Sequence, residues 1–218
     1  MGQAKPVTQD QPPNKLVFYL LAGPNGAGKS TLYKALVLAG IIPDTAEFVN
    51  ADFYEAEHLQ HITQPQARSE QARLWANARR ATLLETGQSF VSETVFSHAS
   101  KLALIEDAQT QGFFVMLLVV ALDQPERLLA RVAQRVAEGG HPVPAERILA
   151  RYPRTLTNLT QAVRLANAAV LYDSQDVTPG THTAVAICKG AWTKELVQRL
   201  PQWAQQILAH DLRVVGRV

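Results

Sequence analysis

The segment LLAGPNGAGKSTL, residues 20–32, sets three glycines, one lysine and two hydroxyl side chains directly after an apolar run. Gly23, four intervening residues and then Gly28-Lys29-Ser30 is a spacing that can hold a chain of phosphates. Glycines let successive backbone N–H groups turn toward one anion, and a helix starting near Lys29 adds the positive end of its dipole. On this reading Gly23, Pro24, Asn25, Gly26, Ala27 and Gly28, with Thr31 at the start of the helix, bind a nucleoside triphosphate. Lys29 reaches the outer phosphates, and the Ser30 hydroxyl is offered to Mg²⁺ as a metal ligand. A glycine-rich strand-to-helix turn without ligand would look similar. A buried strand before the loop and a helix after it favour the phosphate reading.

Transfer of a phosphoryl group to a hydroxyl benefits from a carboxylate that positions the hydroxyl and takes its proton. Asp52, in FVNADFYE, follows a short strand and would sit where the ends of parallel strands gather around a ligand. It suits that role, and equally a helix cap with Glu55 three residues on. Glu93 and Thr94 end the strand SFVSE and face the same crevice by the same rule, with Ser97 on a polar rim. Asp123 ends LLVVALDQPE. With Glu126 behind it, the pattern reads as a capping box for the next helix rather than a metal-sensing acid.

Residues 127–138, RLLARVAQRVAE, carry an apolar stripe of Leu128, Val132 and Val136 and a cationic stripe of Arg127, Arg131 and Arg135. Like charges four residues apart repel weakly, so the stripe is either a solvated face or one that a polyphosphate neutralises. Arg147, Arg151 and Arg154 follow in GGHPVPAERILARYPRTL. Two arginine-bearing helices joined by a Gly-Gly hinge form a lid over a nucleotide on the sharper reading, spanning about 124–155.

The elements that must position these groups follow from apolar patterning. Buried or half-buried strands are expected over 16–22, 47–50, 89–93, 113–122, 169–173 and 183–189. Helices are expected over 30–38, 66–85, 101–111, about 125–138 and 145–168, with an amphipathic closing helix over 193–210. Trp75, Trp192 and Trp203 fall on helices as packing anchors. Alternating strands and helices give an α/β fold, a mostly parallel sheet flanked by helices.

Composition narrows the function. The 218 residues are 47% hydrophobic and 18% charged, enough for one sizeable core over 16–218. Residues 1–15 read as a flexible polar tail without a secretory apolar stretch. A net charge of +2 from 21 basic and 19 acidic residues argues against a nucleic-acid partner. No apolar run approaches the roughly 18 residues of a membrane span. The lone Cys188 excludes an intrachain disulfide, lies in an apolar strand and fits a cytoplasmic address. No base-reading NKxD motif of a GTPase is present.

GPNGAGKST, VNADFY, GQSFVSETVFS, the lid segment from RVAQRV to PRTLTNL, and AVLYD together resemble the zeta toxin family of P-loop kinases over about residues 16–190. The resemblance implies an ATP-dependent kinase with Mg²⁺. Characterised members phosphorylate the 3′-hydroxyl of the amino-sugar in UDP-N-acetylglucosamine, so a nucleotide sugar is the implied small-molecule substrate and a small antitoxin protein the implied partner. It assigns Asp52 to activation of the acceptor hydroxyl, with Lys29 beside it in catalysis. Glu93 and Thr94 are assigned to the substrate. Arg131 and Arg135 act in the lid as catalytic cations, and Arg151 binds nucleotide. Asn77 stands where better-known toxins have a substrate-binding glutamate, and Arg73, Arg79 and Arg80 surround it in sequence. A different acceptor, or an ATP-binding regulatory module of the same fold, is the alternative.

Overall fold

A computed structural model describes residues 15–138, 143–175 and 182–209. The chain builds one seven-stranded sheet. In chain order the strands are β1 (Val17–Ala22), β2 (Glu47–Val49), β3 (Phe90–Thr94), β4 (Phe114–Ala121), β5 (Ala168–Asp173), β6 (Thr183–Lys189) and β7 (Trp192–Glu195). The helices are α1 (Lys29–Leu38), α2 (Ala51–His58), α3 (Pro65–Glu85), α4 (Ala103–Thr110), α5 (Pro125–Ala137), α6 (Ala145–Leu165) and α7 (Gln202–Leu208).

The strand order is β2-β3-β1-β4-β5-β6-β7. The first five strands in that order run parallel, and β6 and β7 are antiparallel additions at one edge. The sheet is thus the mostly parallel, helix-flanked α/β sheet of a P-loop fold. The apolar run 17–22 becomes a central strand between β3 and β4, buried on both faces as such strands must be. Alternation along β1 divides the core. Phe18, Leu20 and Ala22 face a layer shared with α3, α4, α6 and α7, whereas Leu21 faces α1 and α5. Phe18 stacks on Phe90 of β3 at 4.4 Å between ring centroids, a cross-strand pair fixed by the parallel register. The Cys188 thiol is buried within this core.

The closing segment differs from its sequence reading. Residues 193–210 do not form one helix: a hairpin turns through Gly190, whose φ of 57° favours glycine, and Trp192–Glu195 pair with β6. Only Gln202–Leu208 is helical, starting behind Pro201. Trp192 is consequently an exposed strand residue rather than a helical anchor, while Trp203 is fully buried and Trp75 stacks on Tyr54. A further helix, α2, follows β2. The Gly-Gly hinge, His141, most of the N-terminal tail and the last residue of the expected closing helix lie outside the described residues. No helix among the described residues is long and apolar enough to cross a membrane.

Candidate active site

The loop between β1 and α1 is built from close approaches. At Gly23 a Cβ would stand 2.0 Å from the Val120 carbonyl oxygen, so any larger residue would push the loop off β4. Gly28 caps α1 in the left-handed region at φ 91°, and no side chain accepts from the first N–H groups of the helix. Uncapped donors at a helix start, facing a cleft, are an anion site.

Below the loop a carboxylate gathers its polar groups. The Ser30 hydroxyl donates to Glu93 Oε2 at 2.9 Å, and the Asn50 amide donates to the same oxygen at 3.0 Å. Lys29, only 5% exposed, donates to the carbonyls of Gly23 and Pro24 at 3.0 Å each and lies 3.5 Å from Glu93 Oε1. Glu93 lies one residue before the end of β3, next to β1, which is why a residue 63 positions from Ser30 meets it. The Asn50 side-chain oxygen meanwhile accepts from the backbone N–H groups of Asp52 and Phe53 and caps α2. One asparagine therefore links the phosphate loop's acid to the helix that carries Asp52. Asn50 was missed in sequence because Asp52 with Glu55 offered an alternative capping box. Instead Glu55 is buried and paired with Arg68 at 3.0 Å.

These groups open on a cleft of about 760 Å³. Asn25 to Thr31 form its floor, and Asp52, Glu93 and Thr94 line the wall toward α2. Asp52 is exposed in the first turn of α2, and its carboxylate has no hydrogen-bond partner among the described residues, so it is open to the cleft. Thr94 accepts from Phe96 N–H at 3.3 Å and through its carbonyl from Gly23 N–H at 3.3 Å, tying the strand end to the loop.

Arg127, Arg131 and Arg135 of α5 line the opposite wall. Arg131 donates to the Ser174 carbonyl at 2.6 Å and to its hydroxyl at 3.3 Å, and Arg127 donates to the Gln175 carbonyl at 2.7 Å. Partial burial and the neighbouring Arg127 push the Arg131 guanidinium down from its ordinary value, while Asp173 opposes the shift. His182 also lines the cleft and approaches Gly28 so closely that a Cβ there would lie 2.9 Å from its Nε2.

Two expected site residues lie outside this lining. Arg151 is half-buried on α6, its guanidinium pushed down by burial and by Arg147 and Arg154. Asn77 is exposed on α3 and accepts from Arg80. Asp123 corrects another expectation. It does not cap the helix that follows it; its two oxygens accept from the backbone N–H groups of Gln202 and Trp203 at 3.0 and 2.8 Å and cap α7. The N-terminus of α7 has no other side-chain cap, since Pro201 precedes it, whereas α5 begins with Pro125 behind Gln124.

Relatives agree with this architecture. A protein of Haemophilus influenzae described as uncharacterized is 28% identical over 143 residues, covering 64% of this chain and 93% of its own. AvrRxo1-ORF1:AvrRxo1-ORF2, solved with sulphate ions, superposes with a TM-score of 0.68 at 19% identity, over 93% of this chain and 66% of that chain. A structure from the PezAT chromosomal toxin-antitoxin system of Streptococcus pneumoniae gives 0.57 at 15% identity, over 77% and 72%. At these identities the two structures speak for the fold. The sequence itself goes further: a model of the zeta toxin family matches residues 1–178, and the chain belongs to that family.

Proposed function

We propose that the protein is an ATP-dependent phosphotransferase that moves the γ-phosphoryl group of ATP to a hydroxyl of a nucleotide sugar, with UDP-N-acetylglucosamine the first acceptor to test. The observation that carries this reading is the Ser30–Glu93–Asn50 linkage. It sets a phosphate loop and an open carboxylate, Asp52, on one cleft through a single hydrogen-bonded unit.

In this reading the uncapped N–H groups at the start of α1 hold the β- and γ-phosphates, and Lys29 turns from its loop carbonyls to the terminal phosphate. Asp52 orients the acceptor hydroxyl in line with the γ-phosphorus and takes its proton as the new P–O bond forms and the bond to ADP breaks. Arg131 and Arg135, on the facing wall, stabilise the charge that accumulates on the transferring group. Arg151 enters the nucleotide site only by closure of α5 and α6 as a lid. Oxygen donors alone, the Ser30 hydroxyl and the Glu93 carboxylate, fit Mg²⁺. Bound there, Mg²⁺ supplies positive charge that neutralises the nucleotide's phosphates. Glu93 and Thr94 keep the acceptor-side role as cleft-lining groups. A small antitoxin partner is proposed from family membership and from the PezAT system in which a relative of this fold occurs.

The test is mass spectrometry of UDP-N-acetylglucosamine after incubation with ATP, Mg²⁺ and the protein, with Lys29→Ala as control. A Lys29-dependent gain of one phosphate establishes reaction and acceptor. No product while ATP still binds would overturn this acceptor and turn the search to other hydroxyl compounds.

A further inference from the structure

The turn that follows β3 is strained in a way the fold alone does not require. Phe96, at φ 60°, is the one non-glycine residue with positive φ among the described residues. That left-handed backbone is uncommon for a bulky side chain and persists only where the surroundings impose it. The Phe96 ring is fully buried, in the core layer that also holds Phe18 and Phe90. Glycine would take the same backbone freely but would leave a cavity where the ring packs, so burial of the ring offsets the strain.

Both backbone polar groups of Phe96 are held. Its N–H donates to the Thr94 hydroxyl oxygen at 3.3 Å, and its carbonyl accepts from the Asn158 side-chain amide at 2.9 Å. Asn158 lies on α6, 62 residues further along the chain, and is only 9% exposed. Its neighbours Leu156 and Leu159 are buried in the same core as Phe96, so the amide donates from a packed helix. On the other side the turn is tied to the phosphate loop, because the Thr94 carbonyl accepts from Gly23 N–H at 3.3 Å. A buried amide that donates across the fold to a loop carbonyl fixes that loop, since the carbonyl has no water to fall back on.

The fixed turn faces the cleft. Thr94 and Val95 line it, directly after Glu93, whereas Asn158 and Phe96 stand behind the lining. Phe96 N–H fills one lone pair of the Thr94 oxygen, and the hydroxyl proton meets no acceptor among the described residues. We propose that Asn158 is a positioning residue for phosphoryl transfer: by clamping the Phe96 carbonyl it holds the turn in its strained form and aims the Thr94 hydroxyl proton at a substrate oxygen in the cleft. A donor oriented before the substrate arrives needs no reorganisation when charge develops on that oxygen. This rests on the kinase reading and adds to it a residue of α6 that touches no substrate.

The test is a double-mutant cycle on the full chain, read as kcat and KM for transfer from ATP to UDP-N-acetylglucosamine. Thr94→Val removes the hydroxyl, and Asn158→Ala removes the clamp. We expect each single change to lower kcat about ten-fold or more, as a small misplacement near the reacting atoms does, with KM for ATP unchanged within about two-fold. In the Thr94→Val background, Asn158→Ala should cost less than about three-fold further, because the group it positions is already gone. Thr94→Ser, which keeps a hydroxyl on the same turn, should retain most of the rate. If Asn158→Ala does not fold, Asn158→Asp carries the cycle, since it keeps the shape and offers the Phe96 carbonyl no donor. Losses that multiply in the double variant would assign Asn158 to the fold alone and overturn the proposal. Wild-type kcat in Asn158→Ala or in Thr94→Val would overturn it too. So would a Thr94→Ser variant as slow as Thr94→Val, which would make the methyl the group that matters. ATP bound to the wild type without any transfer is a separate result: it removes this acceptor, and the positioning role with it.

Discussion

The Ser30 hydroxyl, in the first turn of α1, donates to Glu93 of β3 at 2.9 Å, and the same carboxylate lies 3.5 Å from Lys29. One acid thereby fixes the positions of the loop's hydroxyl and its cation. Glu93→Gln keeps the shape but removes the charge, and its amide nitrogen cannot accept from Ser30 or Asn50. We expect phosphoryl transfer to fall by about 10²–10³-fold, the scale seen when one preorganised electrostatic group is lost. The dependence of single-turnover rates on Mg²⁺ concentration should shift to higher concentrations, while circular dichroism stays unchanged.

Asp52 makes the complementary prediction. Its backbone N–H donates to Asn50, so the helix cap does not need the Asp52 carboxylate. Asp52→Asn should leave folding and ATP binding within two-fold and lower transfer by about 10²–10⁴-fold, the usual contribution of a general base. Transfer at the wild-type rate would remove Asp52 from that role.

These relationships differ in how far they can be read from sequence. The phosphate loop is local: strand, glycines and helix start lie within residues 17–38, so their spacing alone places them. The central strands are legible for the same reason, as short apolar runs. The partners of Glu93 are not, because they lie 43 and 63 residues away and meet it only through the β2–β3–β1 strand order. Trp192–Glu195 look helix-compatible in isolation, and the pairing with β6 that makes them a strand is tertiary. Arg80 stands in a row of basic residues in sequence, and only its burial distinguishes it from Arg79.

Asp123 offers a test of stability alone. Its carboxylate accepts from Trp203 N–H, 80 residues away, and fastens α7 to the end of β4. Asp123→Ala should destabilise by about 1–2 kcal/mol, as loss of a helix cap does. For a chain of this size that is a fall of about 2–8 °C in Tm. Trp203 fluorescence during denaturation should report the loss, because its indole N–H also donates to Asp173 at 2.8 Å. If Asp123 capped α5 instead, Tm would still fall, but hydrogen exchange would accelerate in residues 125–128 rather than 202–205.

Tyr152 sets the alkaline limit of α6. Its hydroxyl donates to the Leu122 carbonyl at 2.6 Å. Burial, with the charges of Asp123, Asp173 and Glu126, raises its pKa to about 12 from the usual 10.0. Between those values the folded chain keeps a phenolic proton that the unfolded chain has lost, so stability falls as pH rises. The contribution is fully present below about pH 10 and gone above about pH 12. Burial raises Tyr19, Tyr33 and Tyr172 as well, so they add to the same slope. Tyr152→Phe should therefore flatten, without abolishing, the fall in urea midpoint over that window. At neutral pH it should destabilise modestly, by about 0.5–1.5 kcal/mol for the lost hydrogen bond. An unchanged alkaline slope would mean that Tyr152 ionises at its ordinary value in the folded chain, and that the contact with Leu122 does not hold α6 in place.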